Sequence, residues 1–214
     1  MTSKRRVRIS GTGSFLPEKV LTNADFEKML DTSDEWITTR TGIKERHIVD
    51  NGVATSDLAC QASMRALENA GLLPEQLDLI ILASISPDTT LPAGACWLQA
   101  KLGAFNAGAF DITAACSGFV YASNVAWQFI ANGRYNNILV VGAECLSKIT
   151  NYRDRSSCIL FGDGAGAAVF SASDSGPSEI LYGSMGADGR GAEIMILPAC
   201  GSRKRASHET IDSG

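Results

Sequence analysis

Gly108-Ala109-Phe110-Asp111-Ile112-Thr113-Ala114-Ala115-Cys116-Ser117-Gly118-Phe119 is the stretch of this 214-residue chain whose reading decides the fold. An apolar run over 108–113 predicts a buried strand. Two alanines turn the chain, and a helical pattern then runs over 117–132 until Gly133 stops it. The same alternation continues on both sides. Residues 77–84 form a nearly continuous apolar run, as expected of a strand covered on both faces. Residues 92–102 predict a helix ended by Gly103, 137–143 a third buried strand, and 164–171 a Gly/Ala-rich strand. Upstream, 7–13 predicts a strand closing in a Gly-Thr-Gly turn. Asn23 is the expected N-cap of a helix over 24–30, and 31–34 opens a helical turn carrying Trp36. Ser56 is the expected N-cap of an amphipathic helix, with Leu58, Ala59, Ala62, Ala66, Leu67 and Ala70 at helical spacing and Gly71 at its end. Strands alternating with helices predict an α/β layered fold. After Ser173 the texture changes to Ser/Gly/Pro punctuation, a strand-like stretch over 179–185 and a polar tail.

Composition narrows the function classes. Hydrophobic residues make up 45% and charged residues 20%, the balance of a globular chain that buries a core rather than a disordered one. The net charge of −4 lacks the basic excess of a nucleic-acid binder. The longest apolar run is interrupted by Asp78 and Ser84 and is too short to span a bilayer, and residues 1–8 lack the apolar stretch of a signal peptide. A cytoplasmic protein with reduced thiols is therefore expected, with neither nucleic acid nor membrane as partner. The six cysteines contain no Cys-x-x-Cys pair, and His47 and His208 are the two histidines, so no metal or redox cofactor is expected.

Cys116 stands where a strand hands over to a helix. The first N–H groups of a helix are unpaired and its dipole is positive there, and both favour an anionic sulfur. Cys116 is thus a candidate nucleophile whose own N–H could form part of an oxyanion hole. The same pattern also fits a small packing residue. Gly162-Asp163-Gly164-Ala165-Gly166 superficially suggests a nucleotide loop. A strand-like stretch follows it rather than a helix, which favours close backbone packing over phosphate binding. Ser202-Arg203-Lys204-Arg205 reads as a solvated basic loop, with docking of an acidic carrier protein as the alternative.

Four stretches together resemble the β-ketoacyl-[acyl-carrier-protein] synthase III family of the thiolase fold. They are Asp31-Thr32-Ser33-Asp34-Glu35-Trp36-Ile37-Thr38-Thr39-Arg40-Thr41-Gly42-Ile43 with Glu45-Arg46; Asp111 to Phe119; Asn137-Ile138-Leu139-Val140-Val141-Gly142-Ala143-Glu144; and Asp154-Arg155 with Phe161 to Ala167. The resemblance implies a thiolase-like α-β-α architecture, here the first half of a duplicated fold. Residues 1–172 would form the half bearing the nucleophile, and 173–214 a connecting or cap segment leading toward a second half. It implies that Cys116 takes an acyl group from acyl-CoA, most simply acetyl-CoA. The acyl-enzyme then condenses with malonyl-[acyl-carrier-protein] with loss of CO₂, initiating fatty-acid synthesis in a homodimer. Trp36 and Arg155 match positions flanking the adenine of coenzyme A, and Arg40 the basic residue at the tunnel mouth. Leu91, Leu146 and Phe161 match positions lining the acyl pocket. Leu91, where many members carry Phe, would reach across the dimer and leave room for a longer or branched primer. The family's catalytic histidine and asparagine lie later than Gly214, so the chain is expected to be part of a longer enzyme, and on its own of doubtful activity. The alternatives are a related condensing enzyme of specialised metabolism, or a non-catalytic coenzyme A-binding or dimerisation fragment.

Overall fold

A computed structural model describes residues 5–176 and 178–212. In chain order the strands are β1 (Arg6–Phe15), β2 (Val20–Thr22), β3 (Glu45–His47), β4 (Leu79–Ala83), β5 (Gly108–Ile112), β6 (Asn137–Cys145) and β7 (Asp163–Ser173). The helices are α1 (Asn23–Met29), α2 (Asp34–Thr41), α3 (Thr55–Ala70), α4 (Gly94–Leu102), α5 (Gly118–Ala131) and the short α6 (His208–Asp212). Five strands form one mixed sheet in the order β1-β7-β6-β4-β5, and β2 and β3 form a separate antiparallel ribbon. β4 is parallel to both β5 and β6, whereas β7 runs antiparallel to β6 and β1.

The layers follow from strand periodicity. Ile80 and Leu82 of β4 point into the core beneath α3 and α4. Leu79, Ile81 and Ala83 point into the opposite core beneath α5, with Ala122, Ala126 and Ile130. Every residue of β4 is buried, so the strand reads as an unbroken apolar run. Handedness decides which helix covers which face. The path from β4 through α4 to β5 moves outward by one strand, and the path from β5 through α5 to β6 moves back across β4. Right-handed crossovers in opposite directions place α4 and α5 on opposite faces. A smaller cluster of Phe26, Ile37, Cys158 and Ile159, flanked by Trp36 and Tyr152, ties α1 and α2 to the segment preceding β7.

Several expectations are corrected. The Gly-Thr-Gly of residues 11–13 is not a turn; β1 continues through it to Phe15. A Cβ on Gly11 would stand 2.3 Å from the Ala66 carbonyl oxygen, and one on Gly13 2.3 Å from that of Ala62. These glycines let β1 lie directly on the backbone of α3. β5 is an edge strand, half-buried rather than enclosed. Thr22, not Asn23, caps α1, in a reciprocal capping box with Asp25. Ser56 lies inside α3, where its N–H and Oγ donate to the Asp88 carboxylate at 2.8 and 2.6 Å. Residues 179–185 form no strand; the Ile180 N–H donates to the Val7 carbonyl at 2.8 Å, and Leu181 and Tyr182 are exposed. Gly164 and Gly166 belong to β7; a Cβ on Gly162 would stand 3.0 Å from the His47 carbonyl oxygen and one on Gly164 2.9 Å from Leu16, which agrees with close packing, whereas one on Gly166 would meet open space.

Candidate active site

The strand–turn–helix unit places Cys116 at the carboxyl end of β5. Ala115 adopts φ +45°, a left-handed conformation in a residue that has a Cβ, and opens a single 3₁₀ turn over Ala115–Ser117. α5 begins at Gly118, which is buried; a Cβ there would stand 3.1 Å from that of Ala83. Cys116 itself is exposed. It borders the place where neighbouring parallel strands β4 and β5 send their helices to opposite faces. In open α/β sheets a ligand crevice forms outside the carboxyl ends of the strands at such a point. Among the described residues no side chain hydrogen-bonds the Cys116 sulfur. Cys60, Cys145 and Cys158 are buried, and burial pushes their thiols up.

Two carboxylates brace this region, and neither was singled out from the sequence for that task. The half-buried Asp111, near the end of β5, accepts the N–H groups of Gly94 and Ala95 at 2.7 Å each and so caps α4. Glu144, near the end of β6, accepts from the N–H of Ile85 at 2.9 Å and of Ser86 at 3.0 Å, from Ser84 Oγ at 3.1 Å, and from Ser86 Oγ. One acidic side chain thereby holds the loop after β4 against β6. An acidic residue at the end of an otherwise apolar run is the available signal for both.

Trp36, Arg40 and Arg155 come together. The Arg40 guanidinium carbon lies 4.4 Å and that of Arg155 5.0 Å from the centre of the Trp36 ring system. Arg155 also donates to the Asp31 carbonyl and lies 3.6 Å from the Asp31 carboxylate. An aromatic base between Trp36 and Arg155 needs two van der Waals separations, about 7 Å. The arginine side chain, half exposed, must therefore swing aside to admit one. Leu91 precedes Pro92 and is 87% exposed. Leu146 is half-buried in the turn after β6, and Phe161 is half-buried just before β7. A cavity of about 220 Å³ near Leu146 is lined by Thr55, Ser86, Asp88, Cys145, Lys148 and Ile149, and by none of the seven candidate residues. The basic residues 203–205 are exposed, and Arg203 lies 3.9 Å from Glu193. His47 Nδ1 is 2.5 Å from the Pro17 carbonyl oxygen.

The mixed sheet with helices on both faces, and a cysteine turn at the carboxyl end of a parallel strand, are the features of a thiolase-fold chain. The profile of the 3-oxoacyl-[acyl-carrier-protein] synthase III family matches residues 110–189. The β-ketoacyl-[acyl-carrier-protein] synthase III of Caldanaerobacter subterraneus subsp. tengcongensis is 59% identical over 212 residues, covering 99% of this chain and 64% of that protein. The crystal structure of 3-oxoacyl-(acyl carrier protein) synthase III from Pseudomonas aeruginosa PAO1 superposes with a TM-score of 0.85 at 40% identity, over 90% of this chain and 60% of that one. The priming β-ketosynthase of the R1128 polyketide biosynthetic pathway superposes with a TM-score of 0.78 at 37% identity, over 82% and 52%. The chain is similar to β-ketoacyl-[acyl-carrier-protein] synthase III proteins and spans 64% of the length of the Caldanaerobacter one. Among the described residues no helix is long and apolar enough to cross a membrane.

Proposed function

We propose that this chain supplies the nucleophile and the coenzyme A-binding elements of a decarboxylating condensing enzyme that initiates fatty-acid synthesis. The exposed position of Cys116 on the turn at the carboxyl end of β5 is the observation that carries the reading. The Cys116 sulfur attacks the thioester carbonyl of acyl-CoA, and the tetrahedral adduct collapses with expulsion of the coenzyme A thiolate. Thioester exchanges for thioester, so the acyl group stays activated. Malonyl-[acyl-carrier-protein] then loses CO₂, its enolate carbon attacks the acyl-cysteine carbonyl, and the Cys116 thiolate leaves. In this reading the histidine and asparagine that stabilise the enolate come from beyond Gly214.

Trp36, Arg40 and Arg155 hold the adenine and phosphates of coenzyme A, because an indole face and planar guanidinium groups suit a purine and anionic oxygens. Leu146 and Phe161 line the acyl pocket, and Leu91 completes it from the second protomer of a homodimer, with space for a primer longer than acetyl. Residues 1–172 form the unit with the nucleophile, and 173–214 the connecting segment. Acyl-CoA and malonyl-[acyl-carrier-protein] are the substrates, no separate cofactor takes part, and the site of action is the cytoplasm.

The test is Cys116→Ala in the intact protein with radiolabelled acetyl-CoA. Loss of covalent labelling is expected, and retained labelling sinks the assignment. The likeness to the R1128 priming ketosynthase favours a second reading, a condensing enzyme of specialised metabolism. Turnover that proceeds equally well with malonyl-CoA in place of malonyl-[acyl-carrier-protein] supports it. The tight grouping of Trp36 with two arginines favours a third, a non-catalytic coenzyme A-binding fragment; binding of coenzyme A by a chain that never becomes acylated supports that one.

A further inference from the structure

Arg46 is 4% exposed, and among the described residues it has no carboxylate partner. Its guanidinium binds neutral groups. Nε and a terminal nitrogen both donate to the Ile159 carbonyl, the Nε bond at 2.8 Å, and the other terminal nitrogen donates to Asn23 Oδ1 at 2.5 Å. The plane lies 4.9 Å from the centre of the Phe26 ring. Asn23 is also buried, and its amide nitrogen donates to Asp34 Oδ1 at 2.7 Å, to the Ile43 carbonyl at 2.9 Å and to Thr38 Oγ1 at 3.3 Å. A buried cation costs free energy unless its donors are all satisfied, so a hub of this kind holds its partners in one arrangement. Those partners are informative. Asp34 and Thr38 sit on α2, the helix that carries Trp36 and Arg40. Ile159 ends the segment that carries Arg155 and leads to Phe161.

We infer that Arg46 is a positioning residue for coenzyme A: through Asn23 and the Ile159 carbonyl it sets the separation between the Trp36 face of α2 and the segment bearing Arg155. The inference rests on the reading of Trp36 and Arg155 as the adenine site. Lysine at this position keeps the charge and loses the planar fork, so Arg46→Lys separates geometry from charge.

The experiment measures the dissociation constant of coenzyme A by calorimetry, with melting temperature, for the intact parent protein and four variants: Arg46→Lys, Asp34→Ala, Trp36→Ala and Ile130→Val. Asp34 is exposed, so Asp34→Ala tests the link to α2 if Arg46→Lys does not fold. Ile130 packs beneath the sheet far along α5 and controls for loss of stability alone. Roughly tenfold weaker binding is expected for Arg46→Lys, several-fold for Asp34→Ala, and a change within about twofold for Ile130→Val. In turnover, KM for acyl-CoA rises while kcat stays within about twofold. Unchanged binding by Arg46→Lys and Asp34→Ala beside weakened binding by Trp36→Ala overturns the inference alone. Equal weakening by Ile130→Val also overturns it, since stability then accounts for the effect. Unchanged binding by Trp36→Ala overturns the adenine-site reading itself.

Discussion

Ala115 shows how a single residue aims a neighbour. Its φ of +45° costs about 1 kcal/mol in a residue with a Cβ, and the surrounding strand and helix impose it. The outcome is a cysteine turned outward, whereas Cys60, Cys145 and Cys158 are enclosed and their thiols raised by burial. Brief iodoacetamide treatment followed by peptide mapping is therefore expected to alkylate Cys116 and Cys200 first and to spare the three buried thiols. Equal labelling of Cys145 contradicts the arrangement. A second test at this scale concerns Asp57, which pairs with Lys101 and accepts the Ala54 N–H at 2.9 Å. Burial pulls its carboxyl upward, but the Lys101 and Ala54 bonds outweigh burial and hold it below its ordinary value of 3.8. The folded state binds this proton less tightly than the unfolded one. The stabilisation is thus complete above the unfolded value and lost as pH falls through the folded one. The melting-temperature gap between the parent and Asp57→Asn is expected to shrink as pH drops from about 6 toward about 3. Cys116 was legible because a strand, two alanines and a helix start lie side by side in sequence. Arg46 was not legible as a hub, because Asn23 and Ile159 meet it only through folding.

Local periodicity defines some elements of this fold, and contacts between distant residues define others. α3 and α5 lie within two residues of expectation, since an apolar stripe ended by Gly71 or Gly133 is a local signal. β1 runs beyond its expected end, because Gly11 and Gly13 carry the chemistry of a turn and serve instead as a bed for α3. Gly13→Ala is expected to destabilise the protein by at least about 2 kcal/mol, as the new methyl meets backbone that cannot yield. Chemical denaturation measures it, and a neutral result removes the close-approach argument. The N-caps at Asn23 and Ser56 were misplaced by a residue or two for a related reason. Each has a polar side chain suited to capping, but tertiary partners claim it.

At the scale of the whole molecule, many large apolar side chains among the described residues lie outside the buried clusters. Phe119, Val120 and Phe129 on α5 are exposed, as are Leu181, Tyr182, Met185 and the run Ile194-Met195-Ile196-Leu197. Exposed apolar side chains in this number favour self-association. The 214-residue chain expressed by itself is expected to aggregate or elute as a broad oligomer in size-exclusion chromatography with light scattering. A monodisperse monomer with a cooperative melt refutes that expectation. The sequence by itself determined the α/β class and the strand–turn–helix around Cys116, because each rests on neighbours along the chain. Tertiary structure decided the strand order, the edge position of β5, the distance at which Arg155 meets Trp36, and the Arg46 hub. Those features depend on crossover direction and on contacts between distant residues, and no local periodicity encodes either.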